Sequence, residues 1–141
     1  MTSVKRSHTV NMADVDLIQV NFSRFFVWMD DGYGALQREL GHPLSQIIRN
    51  GFATPVVDAR CEYRRPVGLD DEFEVTSAVV AAGRTSFSVG HLFEDSRGVF
   101  AVGRCVHVWV RTEPQQQSEA LPAWITGGLE EGFFEGVGGP R

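Results

Sequence analysis

The spacing of apolar residues changes once along this chain, near residue 51, from a helical period to a strand period. From Asn21 onward Phe25, Met29, Tyr33, Leu36 and Leu40 recur at steps of three and four, which predicts one long helix with a single apolar stripe. Asn21 and Ser23 are suitable N-terminal caps, Gly41 stands at the C′ position, and Pro43 prevents continuation. Gly32 and Gly34 lie inside the helix, each costing about 1 kcal/mol relative to alanine, so a close packing partner is expected there. A short second helix covers about Leu44 to Asn50 and ends at Gly51.

Beyond Gly51 the period is two. Val57, Ala59, Cys61 and Tyr63 alternate with Asp58, Arg60, Glu62 and Arg64 until Pro66 and Gly68 break the run. Phe73, Val75, Ser77 and Val79 form a second alternating set, Phe87, Val89, His91 and Phe93 a third, and Val99 to Arg111 a fourth. Four long strands joined by turn-like segments predict an antiparallel meander. With a short first strand over His8–Met12, the order is strand, helix, then four strands. That predicts an α+β fold, a curved antiparallel sheet of about five to six strands around one long central helix.

Residues 1–112 therefore read as one domain. Residues 113–141 differ, with Gln115, Gln116 and Gln117 followed by six glycines, and are expected to be a mobile tail. Phe133 and Phe134 are the exception, because two adjacent exposed phenylalanines would be unusual.

Composition narrows the function. At 141 residues and 43% hydrophobic content the chain can bury one sizeable core. A net charge of −5, with no basic stripe, argues against nucleic-acid binding. Cys61 and Cys105 are far apart in sequence, so neither a zinc site nor a redox pair is indicated. No apolar leader or run of 18 apolar residues occurs, and a soluble, cytoplasmic protein with reduced cysteines is expected.

The candidate chemistry lies in Asn11–Phe26. Asp14 and Asp16 stand at the end of an apparent strand, a few residues before the long helix. A carboxylate there can attack or deprotonate while helix-start N–H groups stabilise a developing oxyanion. An Asp-x-Asp between strand and helix is also a common turn and cap. The helix acids Asp30, Asp31 and Glu39 fit solvated or interface positions. His91 and His107 fall in register with apolar strand neighbours and are expected in the core, whereas His8 and His42 look like surface or loop residues. There is no G-x-S-x-G elbow, dinucleotide fingerprint or P-loop.

Taken in order, Ala13-Asp14-Val15-Asp16, Val20 to Phe25, Thr54 to Val57 and Tyr63 to Asp71 resemble the hotdog-fold thioesterases of the 4-hydroxybenzoyl-CoA thioesterase family. The resemblance covers roughly residues 8 to 112. It implies a hotdog fold and hydrolysis of a CoA thioester, with Asp16 as nucleophile or general base. The backbone N–H of Phe22 would polarise the thioester carbonyl. Asn21, Arg84 and Ser86 are the implied substrate- and CoA-binding residues, with Arg84 meeting a phosphate. No metal or cofactor is implied beyond the coenzyme A of the substrate. Relatives form dimers or tetramers with shared sites, so a homo-oligomer is expected.

One departure stands out. The segment Asp16-Leu17-Ile18-Gln19-Val20 is one residue shorter than the family pattern, and Gln19 replaces its glycine. Leu17 and Ile18 would set apolar surface beside the carboxylate. This change keeps open a non-catalytic acyl-CoA or small-ligand binding module, and more remotely an oligomeric scaffold.

Overall fold

A computed structural model describes residues 1–141. The chain runs through β1 (Ser3–Thr9), a 3-10 turn (Met12–Asp14), β2 (Val15–Asp16), β3 (Gln19–Val20), α1 (Ser23–Glu39), α2 (Leu44–Arg49) and β4 (Phe52–Ala53). The long strands β5 (Val56–Tyr63), β6 (Glu72–Ala82), β7 (Ser86–Asp95) and β8 (Gly98–Val108) follow, and β9 (Val110–Arg111), β10 (Gln117–Ser118) and α3 (Ala123–Thr126) complete it. β1, β6, β7, β8 and β5, in that order, form one antiparallel sheet, and β2 pairs with β3 as a separate hairpin. β4, β9 and β10 make a small second sheet.

The central helix lies as expected, and Gly41 adopts a positive φ of 88° just past its end. Its inner face is held by two apolar clusters. One gathers Phe25, Trp28, Met29, Phe73, Val75, Phe93 and Phe100; the other gathers Tyr33, Leu36, Val79, Phe87, Val89, Trp109 and Ile125. Between them Gly32 sits directly on Ser77, and the Ser77 hydroxyl is 2.7 Å from His91 Nδ1. Only a residue without a side chain lets the helix settle that low. Gly34 has no comparable neighbour, the nearest being Arg38 Nη1 at 3.7 Å.

Three expectations change. The first strand is Ser3–Thr9 rather than His8–Met12, because Asn11 starts the 3-10 turn: its side chain accepts from the Ala13 N–H, while Asp14 accepts from the Asn11 N–H. The meander holds for β6, β7 and β8 but not for β5, which pairs with β8 at the far edge. Residues 64–71 carry the chain across the end of the sheet, pinned where the Arg64 and Arg65 N–H groups donate to the Phe100 carbonyl at 2.8 and 3.2 Å.

The segment read as a mobile tail also packs on the domain. Ile125 is fully buried, Trp124 stacks on His42 and meets Trp109 edge-on, and the Glu130 N–H donates to the Val79 carbonyl at a β-bulge. Phe133 and Phe134 cover the outer face of β7 at Gly90, where an added Cβ would lie 2.9 and 2.8 Å from their rings. Apolar residues dispersed among the glycines supply that docking surface.

Candidate active site

The two carboxylates of the Asp-x-Asp segment have different surroundings. Asp14 is buried; it accepts from Arg24 Nε at 2.7 Å and closes the capping box on Asn11. Its part is structural. Asp16 is exposed on β2, and its carboxylate accepts no hydrogen bond from the chain.

Asp16 leads into a two-residue turn, Leu17–Ile18, and pairs across it with Gln19. Leu17 has a φ of 64°, a left-handed conformation that costs a non-glycine residue about 1–2 kcal/mol. Leu17 and Ile18 are 96% and 90% exposed, so they point into solvent rather than covering the carboxylate. The hairpin is anchored from behind. The Val20 N–H donates to the Val67 carbonyl at 3.2 Å and the Asn21 N–H to the Asp14 carbonyl at 2.8 Å.

Helix α1 begins immediately afterwards. The Asn21 side chain accepts from the Ser23 N–H at 2.9 Å and the Ser23 hydroxyl at 2.7 Å, which makes it a cap rather than a free substrate ligand. The Phe22 N–H donates to no acceptor in the chain. It is an unused donor at the positive end of a 17-residue helix. The Tyr63 hydroxyl donates to the Phe22 carbonyl at 3.2 Å, and the Phe25 and Tyr63 rings meet edge-on at 4.7 Å.

These groups wall a cleft of about 360 Å³ formed by Gln19, Val20, Phe22, Phe25, Tyr63 and Val67, with Arg64 and Arg65 also lining it. Both arginines are engaged. Arg64 donates to the carbonyls of Val137 and Gly138, and Arg65 grips Asp95 through two bonds of 2.7 and 2.9 Å. A larger groove of about 1250 Å³ adjoins this cleft, sharing Gln19, Pro66 and Val67, and is walled by Asp70, Asp71, Glu72, Glu74, Glu94 and Asp95 against one arginine, Arg97, which is itself paired with Asp95. Such a wall repels a polyphosphate, so the smaller aromatic cleft is the better acyl site.

Arg84 and Ser86 lie elsewhere. They occupy the β6–β7 turn, where the Arg84 carbonyl accepts from the Leu121 N–H and the Ser86 carbonyl from the Gly83 N–H. Asp16 belongs to the opposite end of the sheet, beside the start of β6. The eleven-residue length of β6 separates the two by roughly 30 Å within one chain.

Against this geometry, residues 10–129 match the family model described as the thioesterase-like superfamily. The chain belongs to that superfamily. A 127-residue stretch is 25% identical to the Bacillus subtilis (strain 168) protein named "Putative acyl-CoA thioesterase YneP", covering 86% of this chain and 92% of that one. A shorter stretch of 73 residues is 29% identical to a protein of Aquifex aeolicus (strain VF5) named "Putative esterase", spanning 52% of this chain and 57% of the relative. Among solved structures, a 1,4-dihydroxy-2-naphthoyl-CoA thioesterase from Synechocystis superposes with a TM-score of 0.78 at 23% identity, covering 87% of this chain and 92% of its own. The fold is the hotdog fold.

In this thioesterase-like protein none of the remaining candidates lines the aromatic cleft. Asp31 pairs with Arg6 at 3.0 and 3.2 Å, while Asp30 and Glu39 face solvent. His91 and His107 are buried, with Nδ1 bonded to Ser77 and to the Thr54 carbonyl, but the Nε2 atom of each has no partner. His8 is half-buried against Phe73 rather than a surface residue. Both cysteines are free, and burial pushes the Cys61 thiol up to about 12 and Cys105 to about 11, so neither is a thiolate at neutral pH. Sequence reasoning assigned no site role to Tyr63. Its signal was present in the Tyr63-Arg64-Arg65-Pro66 segment, but only the fold shows that its hydroxyl meets the start of α1.

Proposed function

We propose that the protein hydrolyses the thioester bond of an acyl-CoA at the cleft beside Asp16, releasing a free acid and coenzyme A. One observation carries this reading. An unpaired carboxylate and an unused helix-start N–H, those of Asp16 and Phe22, stand on either side of a hairpin that borders an aromatic cleft. In hydrolysis, water or Asp16 adds to the thioester carbonyl and the oxyanion accepts from the Phe22 N–H. Collapse breaks the C–S bond and the coenzyme leaves as a thiolate that takes up a proton. If Asp16 is the base, it removes the proton of the attacking water. If it is the nucleophile, a mixed anhydride forms and water cleaves it. The size and the Phe22, Phe25 and Tyr63 lining of the cleft suit an aryl or a short to medium acyl group.

The working unit is a homo-oligomer built on a two-fold dimer. β5 is an edge strand with Val56 53% and Val57 61% exposed, an arrangement that favours pairing with a second copy. Antiparallel pairing of β5 with its partner sets the Val56 end of one chain beside the Tyr63 end of the other. Val56 lies at the end of the sheet that carries the Arg84 turn, and Tyr63 at the end that carries Asp16. The partner's turn then supplies Arg84 and Ser86 to coenzyme A, across the distance that separates them from Asp16 within one chain. No helix is long and apolar enough to cross a membrane, and action in the cytoplasm fits a coenzyme A substrate.

Free-thiol release across a panel of aryl-, short- and medium-chain acyl-CoA thioesters tests this reading. Turnover on one class establishes the reaction and ranks the acyl group. Saturable binding without turnover on any member favours the binding module that the substitution of Gln19 for glycine keeps in view.

A further inference from the structure

Asp16 and Gln19 are register partners across the Leu17–Ile18 turn. Their side chains leave the same face of the hairpin, with Cβ atoms roughly 5 Å apart. Neither group is otherwise employed: the Asp16 carboxylate and the Gln19 carboxamide make no hydrogen bond within the chain, and both residues are exposed. Gln19 also walls the aromatic cleft together with Phe22 and Tyr63, whereas Asp16 is not among its lining residues, so Gln19 is the member of the pair that reaches the place where the acyl group fits.

The register that brings these two together is enforced. Leu17 is held at a positive φ, a conformation that glycine would adopt without strain. The anchors behind the turn fix Val20 to Val67 and Asn21 to Asp14. A one-residue slip would turn Gln19 to the opposite face. No cation takes the place of the amide, since Arg24 is bound to Asp14, Arg64 to the C-terminal carbonyls and Arg65 to Asp95.

We infer that Gln19 is a positioning residue for Asp16, its carboxamide aligning the carboxylate and the attacking water at the mouth of the cleft. With a thioester bound, rotation of the Gln19 side chain lets its Nε2 donate to one Asp16 oxygen, leaving the other free to attack or to accept a proton. The Gln19 Oε1 can accept from the second hydrogen of the water that Asp16 deprotonates. This rests on the reading of Asp16 as the reacting carboxylate. It gives the side chain at 19 a use that glycine cannot serve.

The test is steady-state thiol release from the best CoA thioester of the panel by wild type, Asp16→Asn, Gln19→Ala and Gln19→Glu, with Tm recorded for each. Misalignment of a reacting group by a fraction of its length costs about ten- to a hundredfold in rate, so Gln19→Ala is expected to lower kcat by that factor with KM and Tm unchanged. Gln19→Glu sets a second carboxylate beside Asp16 and is expected to move the acid limb of the kcat/KM profile to higher pH. A hairpin residue with only a structural part would move Tm and leave the acid limb in place. Wild-type kcat in Gln19→Ala, in a protein that Asp16→Asn inactivates, overturns the inference and leaves the thioesterase reading standing. Undiminished turnover in Asp16→Asn overturns the assignment of Asp16, and the inference with it.

Discussion

Gly32 of the central helix rests on Ser77 of β6, with no room for even a methyl group between them. Ser77 cannot swing aside freely, because its hydroxyl is bonded to His91. Gly32→Ala is therefore expected to cost about 1–3 kcal/mol, the usual penalty for overpacking, although alanine is the better helix former. Gly34→Ala meets no such neighbour and should leave stability unchanged or raise it by up to about 1 kcal/mol. Urea unfolding of the two variants separates these outcomes, and equal effects would contradict the packing described.

Burial pushes His91 down to about 3, so it is neutral in the folded protein. An unfolded histidine titrates near 6.5. Between those values the unfolded chain carries a proton that the folded chain does not, so stability falls as pH drops through that window. In that window His91 contributes a slope of about 1.4 kcal/mol per pH unit, and burial lowers His8 and His107 in the same direction. His91→Asn is expected to flatten the pH dependence of unfolding free energy between pH 6 and 4 by about one proton's worth. An unchanged slope would contradict the neutral, buried state.

Phe134 is half-buried against the outer face of the sheet at Gly90. Phe134→Ala should lower stability by about 1–2 kcal/mol, in proportion to the apolar area lost. A free-swinging C-terminus would give no change in Tm, and that result would sink the docked arrangement.

Arg84→Ala is expected to raise KM for CoA thioesters several-fold by losing a phosphate contact, with little change in kcat. Because the turn serves the partner's site, mixed dimers of Arg84→Ala with Asp16→Asn rebuild one complete site. Re-mixing the two variants after dissociation should recover low-KM turnover that neither has alone. No recovery would place Arg84 outside the shared site.

The fold was legible wherever burial imposed a period. The 3.6 stripe of Phe25, Met29, Tyr33, Leu36 and Leu40 and the alternation of β6 and β7 both face one core, and both were readable. Pairing was not, because alternation says which face is buried and nothing about neighbours; β5 alternates like the rest yet lies at the far edge. β1 is a largely polar edge strand, Ser-Val-Lys-Arg-Ser-His-Thr, and carries almost no apolar signal. The C-terminal segment misled through its glycines, although Trp124, Ile125, Leu129, Phe133 and Phe134 are enough to dock it. At the site, spacing alone could not divide the work between Asp14 and Asp16, and only the family resemblance singled out Asp16. The Asn11–Asp14 capping pair, three residues apart, was the available clue that Asp14 is structural. Tyr63 acquires its place only through long-range packing, and Gln19 through the local hairpin register that pairs it with Asp16.

The central claim is that the Asp16 carboxylate drives thioester hydrolysis, and kcat of Asp16→Asn at saturating substrate tests it most directly. The expected result is a loss of about 10²-fold or more in kcat, with Tm and binding of the CoA thioester retained, since the exposed Asp16 carboxylate makes no hydrogen bond or ion pair within the fold. Wild-type turnover in this variant would contradict the account and move the chemistry away from the hairpin.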